Sequence, residues 1–565
     1  MKRIGLKTVL MLIIMTMGMV SVASASEVGP IEPITPVPAV DIDKIINESA
    51  DMWFVEFKSL PTAKGGNINK TAADKLNFKV AAAKAGLEIT ERYSFDTLWN
   101  GVSISVKPSD LSTLASLSGV KAIYPVEEIA LPDPGGVDTS SPELFTALAM
   151  TGADVAQSEL GYTGEGIKVG VIDTGVDYDH PDLGGCFGEG CRVYTGYDFV
   201  GDDYDGYSMP MPDLDPDDCN GHGTHVSGIV GADGVVTGVA PGVTFGAYRV
   251  FGCEGSTTSD IMLAAMEMAY ADDMDIINMS IGSGFTWPEY PTAVASDTLV
   301  DKGMVVVASI GNNGASGLYS AGAPGLGEKV IGVASFDNTN VYVPYFEVNE
   351  TPIGYIEMTY SGPVPTSGTE EIVFVGQACD ADLPLLADPA GKVALAVRGA
   401  CSFAEKAQNA IDAGATGVVI HNSNPGLFNG TLGAPLDGVT PVVGISLADG
   451  MFIREQEEPV YMTWTDQMTS AISPTGGLIS SFSSYGLSPD LALKPDIGAP
   501  GGSIYSTYPL EKGGYATLGG TSMSSPHVAG AAALLLQAKP RLNADEVRGV
   551  LQNTAEPKDW WGYPG

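Results

Sequence analysis

Positive charge is scarce in this chain: 28 lysines and arginines stand against 68 aspartates and glutamates, a formal charge of -40 at pH 7 over 565 residues. Such a surface repels phosphate backbones and anionic lipid, which excludes nucleic acid and anionic membranes as partners and reads as a solvated acidic coat. Histidine is rarer still, with five in all, so each can be weighed individually. Long apolar runs are missing beyond the first 25 residues, which leaves no later segment able to span a bilayer. Those first residues combine Lys2, Arg3 and Lys7 with a mainly apolar stretch from Val9 to Val22 and the small-residue pattern Ala23-Ser24-Ala25. That is the layout of a cleaved secretory leader over 1–25, so the expectation is a secreted chain, extracellular or periplasmic, with no membrane anchor after cleavage. No G-x-G-x-x-G follows a strand, which removes the usual support for nucleotide binding.

Six cysteines in an exported chain suggest disulfides. Cys379 and Cys401 share one region and form the expected pair. Cys186, Cys191, Cys219 and Cys253 allow three connectivities, and the sequence chooses none of them.

What is present is an acid, a base and a nucleophile, each framed by glycine. Val171-Ile172-Asp173-Thr174-Gly175 ends an apolar run, Asn220-Gly221-His222-Gly223-Thr224-His225 opens a helix-like stretch, and Gly520-Thr521-Ser522-Met523-Ser524-Ser525-Pro526-His527 precedes a small-residue helix over Val528 to Leu536. A serine hydroxyl becomes nucleophilic when an imidazole takes its proton, and a carboxylate holds that imidazole in the required tautomer. The chain order Asp, His, Ser differs from Ser, Asp, His in α/β-hydrolases and His, Asp, Ser in chymotrypsin-like enzymes. The hydrolase elbow also needs glycine two residues after the serine, where Ser524 stands.

These three segments resemble the signature motifs of the subtilisin-like serine peptidases. The resemblance implies catalytic Asp173, His222 and Ser522, with no cofactor required for chemistry and protein or peptide substrates. A fourth segment, Val305-Val306-Val307-Ala308-Ser309-Ile310-Gly311-Asn312-Asn313-Gly314, reads as a buried strand entering a glycine-rich turn. By resemblance Asn312, directly after the glycine, is the oxyanion donor rather than Asn313, and the backbone N–H of Ser522 joins it. Ile310 is bulkier than the alanine often found there. Ile277-Asn278-Met279-Ser280-Ile281-Gly282-Ser283 resembles the strand lining the principal specificity pocket, with Ser280, Ile281 and Gly282 as its near wall. None carries charge, so a large apolar or uncharged residue before the cut bond is expected.

The same resemblance organises the chain. Pro30 to Pro38 marks a proline-rich linker within 26–50. Residues 51–131 alternate strand, helix, strand, helix, strand in the manner of an inhibitory α+β propeptide, an intramolecular inhibitor removed by a cut between about Leu131 and Gly152. From Gly152 buried strands alternate with helices, the pattern of a parallel sheet covered by helices on both faces, so the fold class is α/β. The catalytic domain is expected over 152–340 and 470–565, interrupted by 341–469, far too long for a loop. Gly391 to Ile420 within that interruption resembles a mostly-β protease-associated domain. The chain stops at Gly565, where the family often continues with a further strand.

Two other readings compete. Cys219, His222 and His225 form Cys-x-x-His-x-x-His, a possible zinc set for a metal-dependent hydrolase, although the glutamate of H-E-x-x-H is missing and an exported cysteine favours a disulfide. A catalytically silent binding scaffold would keep the fold but has no reason to keep all four functional positions. His225, His180, His421 and His527 are read as structural. The aspartates of 202–205 and 213–218 offer oxygen ligands for a structural calcium ion, but without an EF-hand pattern they read first as an acidic solvated loop. No metal ligand is assigned, and the sequence carries no signal of oligomeric state.

Overall fold

The computed structural model describes residues 51–131 and 144–558. The expected leader and linker, part of the expected maturation junction and residues 559–565 lie outside these described residues.

Seven parallel strands form the central sheet, in spatial order Ile497–Gly502, Ile331–Asp337, Val305–Ser309, Ile276–Met279, Lys168–Asp173, Thr244–Arg249 and Val193–Asp198. Their sequences explain the burial. Val305 to Ser309 is buried at every position, as a strand covered on both faces requires. The winding reverses at Lys168–Asp173: the chain first fills one side with Val193–Asp198 and Thr244–Arg249, then builds the other side from Ile276–Met279 onward. A reversal of this kind opens a crevice at the carboxyl ends of the strands. Asp173 is the last residue of the reversing strand. Helices His222–Gly231 and Thr521–Ala538 pack together and against the sheet, and Ser259–Ala271 with Pro291–Asp301 forms a second packed pair.

Before the sheet, strands Thr90–Phe95, Gly101–Ser105, Met52–Phe57 and Val120–Pro125 make an antiparallel sheet with helices Ile68–Lys84 and Leu111–Ser116. This unit docks by groups the sequence reading did not single out. Arg92 Nε donates to buried Asp260 at 2.8 Å, and Glu267 accepts from the N–H groups of Thr97 and Leu98 at 3.0 and 2.9 Å. Phe54, Phe95 and Trp99 continue one apolar cluster with the core under the sheet. The unit then extends a short strand, Glu128–Ala130, which pairs antiparallel with Ser256–Thr258.

Between Ile331–Asp337 and Ile497–Gly502 the chain leaves the sheet and forms a closed barrel of seven strands. The first and last, Asn340–Val348 and Val460–Ile472, pair from Asn340 against Ile472 onward, so the barrel reaches slightly beyond the 341–469 read from sequence. Helices Phe403–Asp412 and Leu447–Arg454 accompany it. The disulfides are Cys379–Cys401, as expected, with Cys186–Cys191 and Cys219–Cys253 resolving the open connectivity. Among the described residues no helix is long and apolar enough to cross a membrane.

Candidate active site

Asp173 and His222 meet at the crevice. His222 Nδ1 lies 2.6 Å from Asp173 Oδ1, and both side chains are buried. Because Asp173 Oδ1 also accepts from the N–H of Thr174 at 2.8 Å, the carboxylate is fixed before the imidazole arrives. A carboxylate there selects the tautomer with the proton on Nδ1 and leaves Nε2 as the base.

The loop carrying His222 is held by Asp218, a residue the sequence reading assigned to a solvated acidic loop. That assignment is corrected: Asp218 is fully buried and accepts five hydrogen bonds. Its donors are Thr174 Oγ1, the N–H groups of Asn220, Gly221 and Thr224, and Thr224 Oγ1. Thr174 Oγ1 in turn accepts from the N–H of Gly223 at 2.8 Å. The strand end bearing Asp173 and the helix start bearing His222 are therefore cross-linked through one buried carboxylate. Gly221, at φ 116°, makes the turn between them in a region that disfavours side chains.

Ser522 does not precede its helix, as the sequence suggested, but lies in its first turn, since the helix runs from Thr521 to Ala538 through Pro526. Proline at 526 removes the N–H that would bond the carbonyl of Ser522. Ser280 Oγ supplies the missing donor at 2.7 Å. Ser522 Oγ donates to the carbonyl of Ser280 at 2.9 Å, while His222 Nε2 is buried with no hydrogen-bond partner among the described residues. The structure thus bonds Asp173 to His222 but not Ser522 to His222, a looseness common in unliganded catalytic sites.

Asn312 is oriented by Thr521, whose N–H and hydroxyl donate to Asn312 Oδ1 at 3.0 and 2.8 Å. An N–H can only donate, so the amide nitrogen Nδ2 faces away from it. A Cβ placed on Gly520 would lie 3.4 Å from Asn312 Nδ2 and 3.6 Å from the backbone nitrogen of Ser522. Two donors therefore flank one small vacant volume beside the serine. Asn313 is turned elsewhere, with its Nδ2 against Gly284.

A cavity of about 460 Å³ adjoins these groups, walled by Ser280, Ile281 and Gly282 and reached by Ala130 and Leu131 of the N-terminal unit. Among the described residues no charged side chain lines it.

The zinc reading does not survive the geometry. Cys219 is bonded to Cys253, His225 Nε2 lies 3.0 Å from the carbonyls of Ile504 and Ala516, and His222 is engaged by Asp173. Burial, reinforced by the nearby His222, pushes the His225 pKa down to about 3. His527 bonds Thr151 at 2.8 Å and burial lowers its pKa to about 4, while His180 bonds the carbonyl of Gly514 at 2.8 Å. His421 lies in the barrel, 2.9 Å from the Asn422 carbonyl. Asp202, Asp203, Asp213, Asp215 and Asp217 line a separate acidic hollow of about 390 Å³ together with Arg249, which lies 2.8 Å from Asp202.

Comparison with known proteins agrees with this arrangement of elements. The profile of the subtilase family matches residues 164–563. The chain is 34% identical over 536 residues to "Minor extracellular protease Vpr" of Bacillus subtilis (strain 168), covering 90% of this chain and 63% of that protein. It is 29% identical to "PII-type proteinase" of Lacticaseibacillus paracasei, over 86% of this chain and 29% of that protein. It is also 29% identical to "Subtilisin-like protease SBT1.5" of Arabidopsis thaliana, over 84% of this chain and 68% of that protein. This chain therefore spans less than two thirds of the first two relatives. With a profile match across most of its length, the chain belongs to the subtilase family.

Proposed function

We propose that this chain is a secreted serine endopeptidase made as a zymogen. The hydrogen bond between His222 Nδ1 and Asp173, on a helix packed against the one whose first turn carries Ser522 and its two neighbouring donors, is the observation that carries the reading. In this mechanism Ser522 Oγ leaves the Ser280 carbonyl, gives its proton to His222 Nε2 and attacks the peptide carbonyl carbon. Asp173 stabilises the imidazolium. Negative charge on the carbonyl oxygen is met by Asn312 Nδ2 and the N–H of Ser522. The imidazolium then protonates the leaving amine, and water releases the acyl-enzyme by the same path in reverse.

The uncharged lining of the cavity supports a large apolar or uncharged residue before the cut bond. The strand Glu128–Ala130, paired beside the crevice, supports residues 51–131 as the intramolecular inhibitor. The barrel is proposed as the protease-associated domain. Export is supported by the leader-like start of the sequence and by relatives that include a protein named as an extracellular protease.

The test compares the chain with Ser522→Ala. Labelling by a serine-directed fluorophosphonate and release of the N-terminal unit are expected for the first and lost in the second. Identical behaviour of the two would refute the reading.

A further inference from the structure

We propose that the junction between the barrel and the sheet forms a subsite for a cationic side chain on the leaving-group side of the cut bond. The inference rests on the peptidase reading above. A second cavity, of about 260 Å³, opens where the barrel leaves and rejoins the sheet, lined there by Asp337, Val341, Ser473 and Thr475. Phe482 and Gly519 line both this cavity and the one beside Ser522. The two hollows are therefore consecutive along one surface.

Direction comes from the N-terminal unit. Its strand runs from Glu128 along Ser256–Thr258, and Leu131 enters the cavity walled by Ser280 to Gly282. A substrate following that course passes Ser522 and continues over Gly519 and Phe482 into the second hollow. Residues after the scissile bond fall there.

The chemistry of the hollow is anionic. Asp337 is its one charged lining residue among those described. The Asp337 oxygens accept from the hydroxyls of Thr475 and Ser480, so the carboxylate is held in place by neutral donors that do not cancel its charge. Thr517 also lines the hollow, and among the described residues its buried Oγ1 has no hydrogen-bond partner, which leaves it a second acceptor for an ammonium or guanidinium group. A lysine or arginine side chain meets both, and a formal charge of -40 over the whole chain favours its approach.

The experiment scans lysine, norleucine and glutamate through the leaving-group positions of quenched peptides that share one acyl half. At one position the lysine peptide is expected to exceed its norleucine counterpart by about threefold to fivefold in kcat/KM, the size of a partly exposed ion pair, with glutamate below both. In Asp337→Asn that ratio falls to about one. Thr517→Lys, which puts a cation into the same hollow, inverts it. A flat ratio at every position, or a lysine preference that survives both substitutions, overturns the subsite. Hydrolysis of the norleucine peptide by the unmodified chain separates that failure from a failure of the peptidase reading, in which no peptide is cut.

Discussion

Ser280 and Ser522 exchange two hydrogen bonds: the hydroxyl of each donates to the backbone carbonyl of the other, at 2.7 and 2.9 Å. One strand end and one helix start are thereby locked together beside the proposed nucleophile. The bond from Ser280 Oγ replaces the helical one that Pro526 removes. Ser280→Ala leaves the Ser522 carbonyl buried and unpaired, and about 1–3 kcal/mol of stability is expected to be lost. Urea unfolding of the variant in parallel with Pro526→Ala,Ser280→Ala checks this. Restoring the N–H at 526 recovers part of the loss, and equal midpoints for all three proteins would contradict the account.

The volume between Asn312 Nδ2 and the Ser522 N–H is available because residue 520 is glycine. Its φ of 164° is extended backbone open to any residue, so the restriction is one of space. Gly520→Ala places a methyl where the oxyanion is proposed to form. Turnover is expected to fall about 10²–10³-fold, the magnitude known in a subtilisin for loss of its asparagine donor. Measuring kcat and KM separately tests this, since the loss belongs to kcat. A variant with unchanged kcat would place the anion elsewhere.

Asp218→Asn swaps an acceptor of five hydrogen bonds for a group that must present two donors to the same partners. A loss of about 3 kcal/mol or more is expected, with a fall in kcat because the His222 loop is no longer fixed. Calorimetry with a parallel activity assay measures both. Full stability would show that the buried carboxylate is dispensable.

Acid lability follows from two of the buried imidazoles, His225 and His527. Burial pulls the His225 pKa down to about 3 and that of His527 to about 4, below the ordinary value of 6.5. The unfolded chain therefore takes up protons first as the pH falls. Stability contributed by the neutral forms is complete above pH 6.5 and declines as the pH drops from there toward 4. For His527 alone the decline is on the order of 3 kcal/mol. Melting temperatures of the Ser522→Ala chain, which removes the proposed self-digestion, are expected to fall between pH 6.5 and 4. His527→Gln should flatten part of that slope, and a parallel slope in the variant would assign the lability to other groups.

The candidate site was legible where chemistry restricts residue type. Asp173, His222, Asn312 and Ser522 stand out because few side chains can do what such a site asks, and glycines at fixed offsets shape their turns. The groups that hold them were not legible. Asp218 stands with six other aspartates in the seventeen residues of 202–218, and its burial arises when Thr174 and Thr224, fifty positions apart in the chain, close around it. The start of the serine helix lies before the expected Val528 because Pro526 is accommodated inside the helix, and the donor that makes it tolerable comes from Ser280, just past the end of a distant strand. The barrel was visible as a length of chain that no loop could absorb, and its limits differ because pairing of Asn340 with Ile472 carries the ladder past the change in composition.

That terminal pairing reaches beyond the barrel itself. Entry and exit of the excursion stand side by side as ladder partners, so the entropy of closing more than a hundred residues is met inside the module and not charged to the sheet. The parallel strands Ile331–Asp337 and Ile497–Gly502 remain direct neighbours, as though nothing had been inserted between them. A fold arranged this way can acquire, exchange or shed such a module while the strands on either side keep their register.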